Sequence, residues 1–394
     1  MTYATGRVYH DADAHIMELS DFLIEHADPK HRAEMPVLGI SGIGDDPGSR
    51  IDWAAITGPL HHDPGYRANE TELLLRKNFY ATGAFERDHR AQALDLLGFS
   101  SQLVFNTFTS GHLVAAEHSD NLDLAYAMAD AHNRGMVEFC SADERSLPVG
   151  YVSLMDIDRA AVQARDAIGL GCKALMIASY CPKRHSPSHI GLDRVWAQAQ
   201  DAGVPVVMHV GGGGLLLSPR YFDNGLPPVP DFHGGAENFR SVDYMAIPYH
   251  PMQTMATLLL DGVLDRFPRL KWGIIEQGAS WVPGWMRSLD SAFDAFRKNE
   301  TRLQQLSAKP SELVRRQVRV TPYPHEDVGW IIKNAGAEVC LFSSDYPHVE
   351  GGRHPLKRFA GTTGDCSDEE LDGFYAHNMA DLMGRHIPAD RVAV

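Results

Sequence analysis

From about residue 90 the chain repeats one unit, a segment of helical spacing followed by a short apolar run, and this alternation constrains the fold most. "RDHRAQALDLLGF" leads into "SQLVFNTF", "AYAMADAHNRGMVEFCSA" into "LPVGYVSL", "RAAVQARDAIGLG" into "CKALMIAS", and "LDRVWAQAQDAG" into "VPVVMHV". Successive helix-then-strand units require parallel strands joined by crossover helices. The pattern resumes with "PMQTMATLLLDGVLDRFP" before "LKWGIIEQG", "SELVRRQ" before "VRVTPYP", and "DVGWIIKNAG" before "AEVCLF". Adding "RVYHDADAH" gives eight strand candidates, the number a closed barrel needs. The expected fold is α/β, a (β/α)8 TIM barrel in which residues 1–394 form one domain.

Two stretches break the rhythm. Residues 19–89 follow the first strand and contain the Gly/Pro/Asp-rich "LGISGIGDDPGSR"; residues 210–249 follow the fifth and contain "VGGGGLLLSPRYFDNGLPPVPDFHGGAENF". Long loops after barrel strands surround the active site, so both read as substrate lids. The glycines at 211–214 would let a substrate approach the backbone or would loosen a lid.

The charge balance narrows the partners. A formal net charge of -15 argues against nucleic acid or an anionic membrane surface, both of which need a basic face. The five cysteines are scattered without a C-x-x-C pair, which fits a reducing cytoplasm and gives neither a disulfide framework nor a cysteine zinc site. No apolar run reaches the roughly 18 residues of a membrane span. The expected partner is a small acyl or carboxylate compound, and a homodimer is compatible with the chain.

In a barrel, residues at the C-terminal strand ends converge however far apart they lie in sequence. The first strand ends in "DADAH", with Asp13 and His15 at i and i+2. The fifth ends at His209, the sixth at Glu276 and the eighth at Asp345 in "LFSSDYPHVEGG". Alone, that last stretch reads as a polar strand end before a Pro turn. Together, two imidazoles and three carboxylates form an oxygen-and-nitrogen set suited to one or two divalent ions, Fe, Zn or Mn.

The strand "DADAH", the segment "PVVMHVGGG", the block "HPMQTMATLLLDGVLDRFPRLKWGIIEQGASWVPGWMRSLD" and "FSSDYPHVEG" resemble the amidohydrolase-related branch of the amidohydrolase superfamily. That branch includes carboxymuconate-semialdehyde and dihydroxybenzoate decarboxylases and metal-dependent hydrolases. The resemblance covers residues 8–18 and roughly 90–385. It implies a distorted TIM barrel with a metal held by Asp13, His15, His209 and Asp345. This chain departs from many relatives in carrying Asp13 where they have His or Glu, and Glu276 where many decarboxylases have His. Three carboxylates overfill one divalent ion, which favours a binuclear centre with Glu18 and His250 as further ligands. Lys173 sits at the start of its strand, away from any carboxylated-lysine role.

The expected chemistry is metal-dependent hydrolysis of an ester, thioester, amide or lactone, with Asp345 as proton shuttle and His209 and Glu276 beside it. Acyl-thioester hydrolysis in a natural-product pathway is one specific form, since the branch includes di-iron enzymes of that kind. The alternative is non-oxidative decarboxylation of an aromatic or dienoic acid, and a third reading is a non-catalytic binding barrel. Asn106, His112, His250, Trp281, Tyr323 and His348 are candidate pocket lining. Each also has a plain structural reading, Trp281 and Trp285 as core and His348 as a turn cap.

Overall fold

Seven parallel strands form one sheet in chain order: β1 (His10–His15), β2 (Ser101–Phe105), β3 (Ser146–Tyr151), β4 (Ala174–Met176), β5 (Val206–His209), β6 (Trp272–Ile275) and β7 (Val318–Val320). This computed structural model describes residues 2–39, 51–211, 217–227, 240–387 and 391. Every residue of the seven strands is buried, which is why they read as near-continuous apolar runs. Crossover helices include Arg87–Leu97, Leu122–Cys140, Ile157–Leu170, Asp193–Ala202, Tyr249–Leu260 and Pro310–Gln317. Gly98 and Gly203 end two of them at φ of 76° and 64°, a conformation in which a side chain is penalised.

The eighth segment differs from expectation. "AEVCLF" forms no continuous strand, but it closes the circle through single bridges at Cys340 to β7 and at Tyr346 to β1. Leu341 N–H donates to the Val320 carbonyl (2.8 Å), Ala12 N–H to Phe342 (3.0 Å), and Asp345 N–H to Asp13 (2.9 Å). Asp345 itself has a left-handed φ of 53°, and a residue turned that way cannot continue a ladder. The chain therefore completes a distorted TIM barrel at the cost of a regular last strand.

Buried polar groups lock this seam. Asp11 accepts from the Ser344 amide (2.7 Å) and hydroxyl (2.5 Å) and from Gln102 Nε2 (2.8 Å). The fully buried Arg90 donates to Gln102 Oε1 (3.1 Å) and to the His15 carbonyl (3.1 Å). β1, β2 and the closing segment are thus fixed to one another directly beneath the strand ends.

The expected lids are only partly described. Much of "LGISGIGDDPGSR", all of 212–216 and 228–239, and hence Gly212 to Gly214, lie outside the described residues. Of the first insertion, helices Trp53–His61 and Pro64–Arg67 lead to Asn78, whose amide donates to the Pro347 carbonyl (2.9 Å). That bond ties the insertion to the segment just after Asp345. Among the described residues no helix is long and apolar enough to cross a membrane.

Candidate metal centre

The strand ends bring the expected ligands together. Asp13, His15, His209 and Glu276 offer ligand atoms all within 4.8 Å of one another, and His15, Asp345 and His348 form a second such set sharing His15. His15 Nε2 lies 3.3 Å from Asp13 Oδ1 and 3.5 Å from Asp345 Oδ1. His209 Nε2 lies 3.3 Å from Asp13 Oδ1 and 3.4 Å from Glu276 Oε2. Spacings of this size match the edges of a tetrahedral or octahedral shell with bonds of about 2.0–2.2 Å.

Local backbone geometry explains how each side chain gets there. The β1–β2 register slips between Asp11 and Ala14, so a bulge aims Asp13 inward. The β5–β6 register pairs His209 with Ile275, which sets Glu276 one step beyond it. Glu276 and Asp345 both hold left-handed φ values, 52° and 53°, unusual for residues with a side chain. Such strain persists only where surroundings impose it and concentrates at functional sites. At Glu276 the amide donates to Thr321 Oγ1 (2.7 Å) and the carbonyl accepts from Tyr323 Oη (2.8 Å).

The donor set fits a cation by its protonation. His15 Nδ1 lies 2.9 Å from the Asn106 carbonyl and His209 Nδ1 2.8 Å from the Val210 carbonyl. A carbonyl only accepts, so each ring carries its proton on Nδ1 and turns the Nε2 lone pair into the site. Burial, with His348 nearby, lowers His15 to about 4 and keeps it neutral, as a ligand must be. Burial penalises the charge on Asp13, yet without metal a protonated His209, with His15, holds it below the usual carboxylate range, and a cation at the two Nε2 atoms would take the place of those protons. Asp13 Oδ2 and Asp345 Oδ2 are buried without a hydrogen-bond partner among the described residues. Uncompensated buried carboxylate oxygens are costly, and a cation between them removes that cost.

Asp345 is the group whose charge depends most on what occupies the site. Burial, with Asp13 beside it, raises its carboxyl to about 7. A raised carboxyl pKa makes the metal-free fold lose stability as pH rises from the ordinary carboxylate range through about 7. Metal binding must displace this proton, so affinity should climb about tenfold per pH unit up to about 7 and then level. Manganese titration of the metal-free chain from about pH 5.5 to 8 measures it; affinity flat across that window contradicts Asp345 as a ligand.

His348 joins the site through Asp345. Its Nδ1 lies 3.1 Å from Asp345 Oδ1, its Nε2 2.9 Å from Thr107 Oγ1, and its ring stacks on His15 at 3.9 Å between centroids. Thr107 Oγ1 donates to the Ile16 carbonyl (2.7 Å), so it accepts from His348 Nε2–H. Nδ1 is thereby left to share a proton with Asp345.

Other candidates fall elsewhere. Glu18 is not brought to either ligand set: its buried carboxylate accepts from the amides of Thr107, Phe108 and Thr109 and from the Thr109 hydroxyl (2.8 Å), securing the loop after β2. His250, half-buried in the first turn of Tyr249–Leu260, and His112, half-buried in Thr109–His118, belong to neither set. Asn106 contributes its carbonyl to His15, and its side chain binds Ser110 Oγ (2.7 Å). Trp281 packs edge-on against the buried Trp285, with its indole N–H on the Gly278 carbonyl (2.8 Å). Lys173 precedes β4, away from the strand ends. Sequence reading missed Asp11, Gln102, Ser344 and Arg90, which hold the ligands, and Lys77, whose charge acts on Asp345. Cavities of about 640 and 690 Å3 lie outside the ligand cluster, so donor chemistry and not concavity identifies the site.

Residues 53–385 match the family model for amidohydrolases. An amidohydrolase structure from Mycobacterium avium subsp. paratuberculosis superposes with a TM-score of 0.73 at 23% identity, covering 97% of this chain and 100% of that one. A dihydroxybenzoic acid decarboxylase from a Polaromonas species, with bound manganese and 2-nitroresorcinol, gives 0.62 at 15% identity, covering 99% and 100%. A 5-carboxyvanillate decarboxylase from Novosphingobium aromaticivorans, with bound manganese, gives 0.61 at 15% identity, covering 96% and 97%. At such identities the likeness establishes a shared fold. No curated protein matches the chain.

Proposed function

The chain belongs to the amidohydrolase family, and on that premise we propose that it is a metal-dependent hydrolase of a neutral acyl compound, an ester, thioester, amide or lactone of a small organic acid. The observation that carries this reading is the convergence of three buried or nearly buried carboxylates, Asp13, Glu276 and Asp345, on two imidazoles. With all three ionised, one divalent ion would leave the cluster negative, and two together with a hydroxide would leave it neutral. Such a site accepts a neutral carbonyl more readily than a further carboxylate.

Asp13, His15, His209 and Asp345 would hold the ion, and Glu276 would hold or share a second. When bound, a divalent Fe, Zn or Mn ion supplies acidity to a water and polarises a carbonyl oxygen. Asp345 takes the proton of the attacking water and returns it to the leaving group. His348 fixes the Asp345 carboxylate through the 3.1 Å contact and shares that proton. Thr321 and Tyr323 hold the Glu276 backbone in its left-handed turn and so keep the third carboxylate aimed inward.

Decarboxylation of an aryl or dienoic acid is the second reading, favoured by the manganese-bound decarboxylases of the same fold. It uses the same ligands but places a substrate carboxylate against three protein carboxylates. A panel of acyl esters, thioesters and aryl carboxylates in 18O-water separates the two. Incorporation of label into the acid product supports hydrolysis; carbon dioxide release without label overturns it. Glu276→Gln sharpens the test: it should lower bound metal towards half and reduce hydrolysis about 10²-fold or more.

A further inference from the structure

A second histidine cluster lies in the first insertion, away from the strand ends. His61 closes the helix Trp53–His61, Glu86 stands at the N-cap of Arg87–Leu97, and His89 lies in that helix's first turn. Each offers one ligand atom, and the three atoms lie within 4.8 Å of one another. His62 Nε2 reaches Glu86 Oε1 from the rim at 3.3 Å. We infer that His61, Glu86 and His89, with His62 at the rim, form a second divalent-cation site of zinc type that pins the inserted segment to the helix Arg87–Leu97.

His61 carries the argument. It is fully buried, and neither ring nitrogen completes a hydrogen bond, although the carbonyls of Phe79 and Tyr80 lie close by. Its faces are stacked on Phe85 (centroids 5.0 Å apart) and Tyr66 (6.0 Å), which fixes the ring plane. Stacking occupies the faces only, whereas a metal approaches an imidazole in its plane. Carbonyls can accept only the proton of a neutral ring, so one buried nitrogen lone pair still lacks a partner, and a ligand role supplies it.

The chemistry of the set suits zinc: two imidazoles and one carboxylate, without thiolate, supply three positions, and the exposed His62 or a water would supply the fourth. Glu86 Oε2 and His89 Nδ1 are 2.5 Å apart, closer than the ~3.3 Å edge of a tetrahedral zinc site. Both side chains keep roughly a fifth of their surface exposed and have room to separate. Arg67 acts against the cation: its charge lowers His89, while its Nη1 donates to the His61 carbonyl and its Nε to Gln92. The site should therefore bind less tightly than a zinc site without a neighbouring cation.

The test is zinc stoichiometry of the full chain, stripped of metal and titrated, for wild type, His61→Asn, His89→Gln and Asp345→Asn. The expected result is one zinc equivalent fewer in His61→Asn and in His89→Gln than in wild type, with that same equivalent kept in Asp345→Asn. Equal stoichiometry in wild type and His89→Gln overturns the inference. His89→Gln changes a partly exposed side chain, so it carries the test if His61→Asn does not fold. Because the barrel ligands are untouched in both variants, failure here and failure of the barrel metal centre give different patterns.

Discussion

Asp345→Asn should abolish turnover, by about 10²-fold or more, while the protein stays folded. Asparagine is nearly isosteric and is among the residues best tolerated at a left-handed φ, so the 53° turn at this position survives the change. The substitution also removes a buried charge that burial and Asp13 already disfavour, so the metal-free variant should be no less stable than wild type. What it removes is the carboxylate that, in the proposed mechanism, would bind the cation and carry the proton. Circular dichroism and thermal unfolding establish the fold, and single-turnover kinetics on the best substrate of the panel measures the loss. A folded variant that keeps near-wild-type activity would take Asp345 out of the mechanism.

The sequence carried most of the barrel and most of the residues that gather at its strand ends because both depend on local signals. Buried parallel strands must be apolar along their whole length, so "VVMH" and "WGII" announce themselves and the polar residue ending each run stands out. Asp345 stood out for that reason, but its left-handed turn did not. That turn explains why the eighth segment contributes bridges and not a strand. Glu18 shows the opposite failure. Its place shortly after "DADAH" suggested a ligand, whereas its carboxylate answers three amides in the loop beginning at Thr107, 89 positions away.

The seam beneath the site was illegible for the same reason. Asp11 meets Ser344 across 333 positions and Gln102 across 91, and no spacing rule connects them. His348 was readable only as a residue three positions after Asp345. Its contact with Thr107 and its stack on His15 depend on how the barrel closes. Local periodicity thus locates strand ends, and only closure shows which polar groups there hold a ligand and which hold the chain.

The second large effect concerns the ligands that no other role explains. His209→Ala removes one Nε2 lone pair held in place by the Val210 carbonyl. Metal at the strand ends should fall by about tenfold or more, because losing a group that merely orients a metal ligand already costs about 10–100-fold in affinity. Activity should fall with it. Loss of activity with full metal retention would make His209 a substrate contact instead.

The most direct measurement is an anomalous difference map at a first-row transition-metal edge, from crystals of protein never exposed to chelator. The account predicts a peak about 2.0–2.3 Å from His15 Nε2 and His209 Nε2 and within reach of the Asp13 and Asp345 carboxylates, absent in His209→Ala. A map with no peak among these four residues, even after soaking in iron, zinc or manganese, would contradict it.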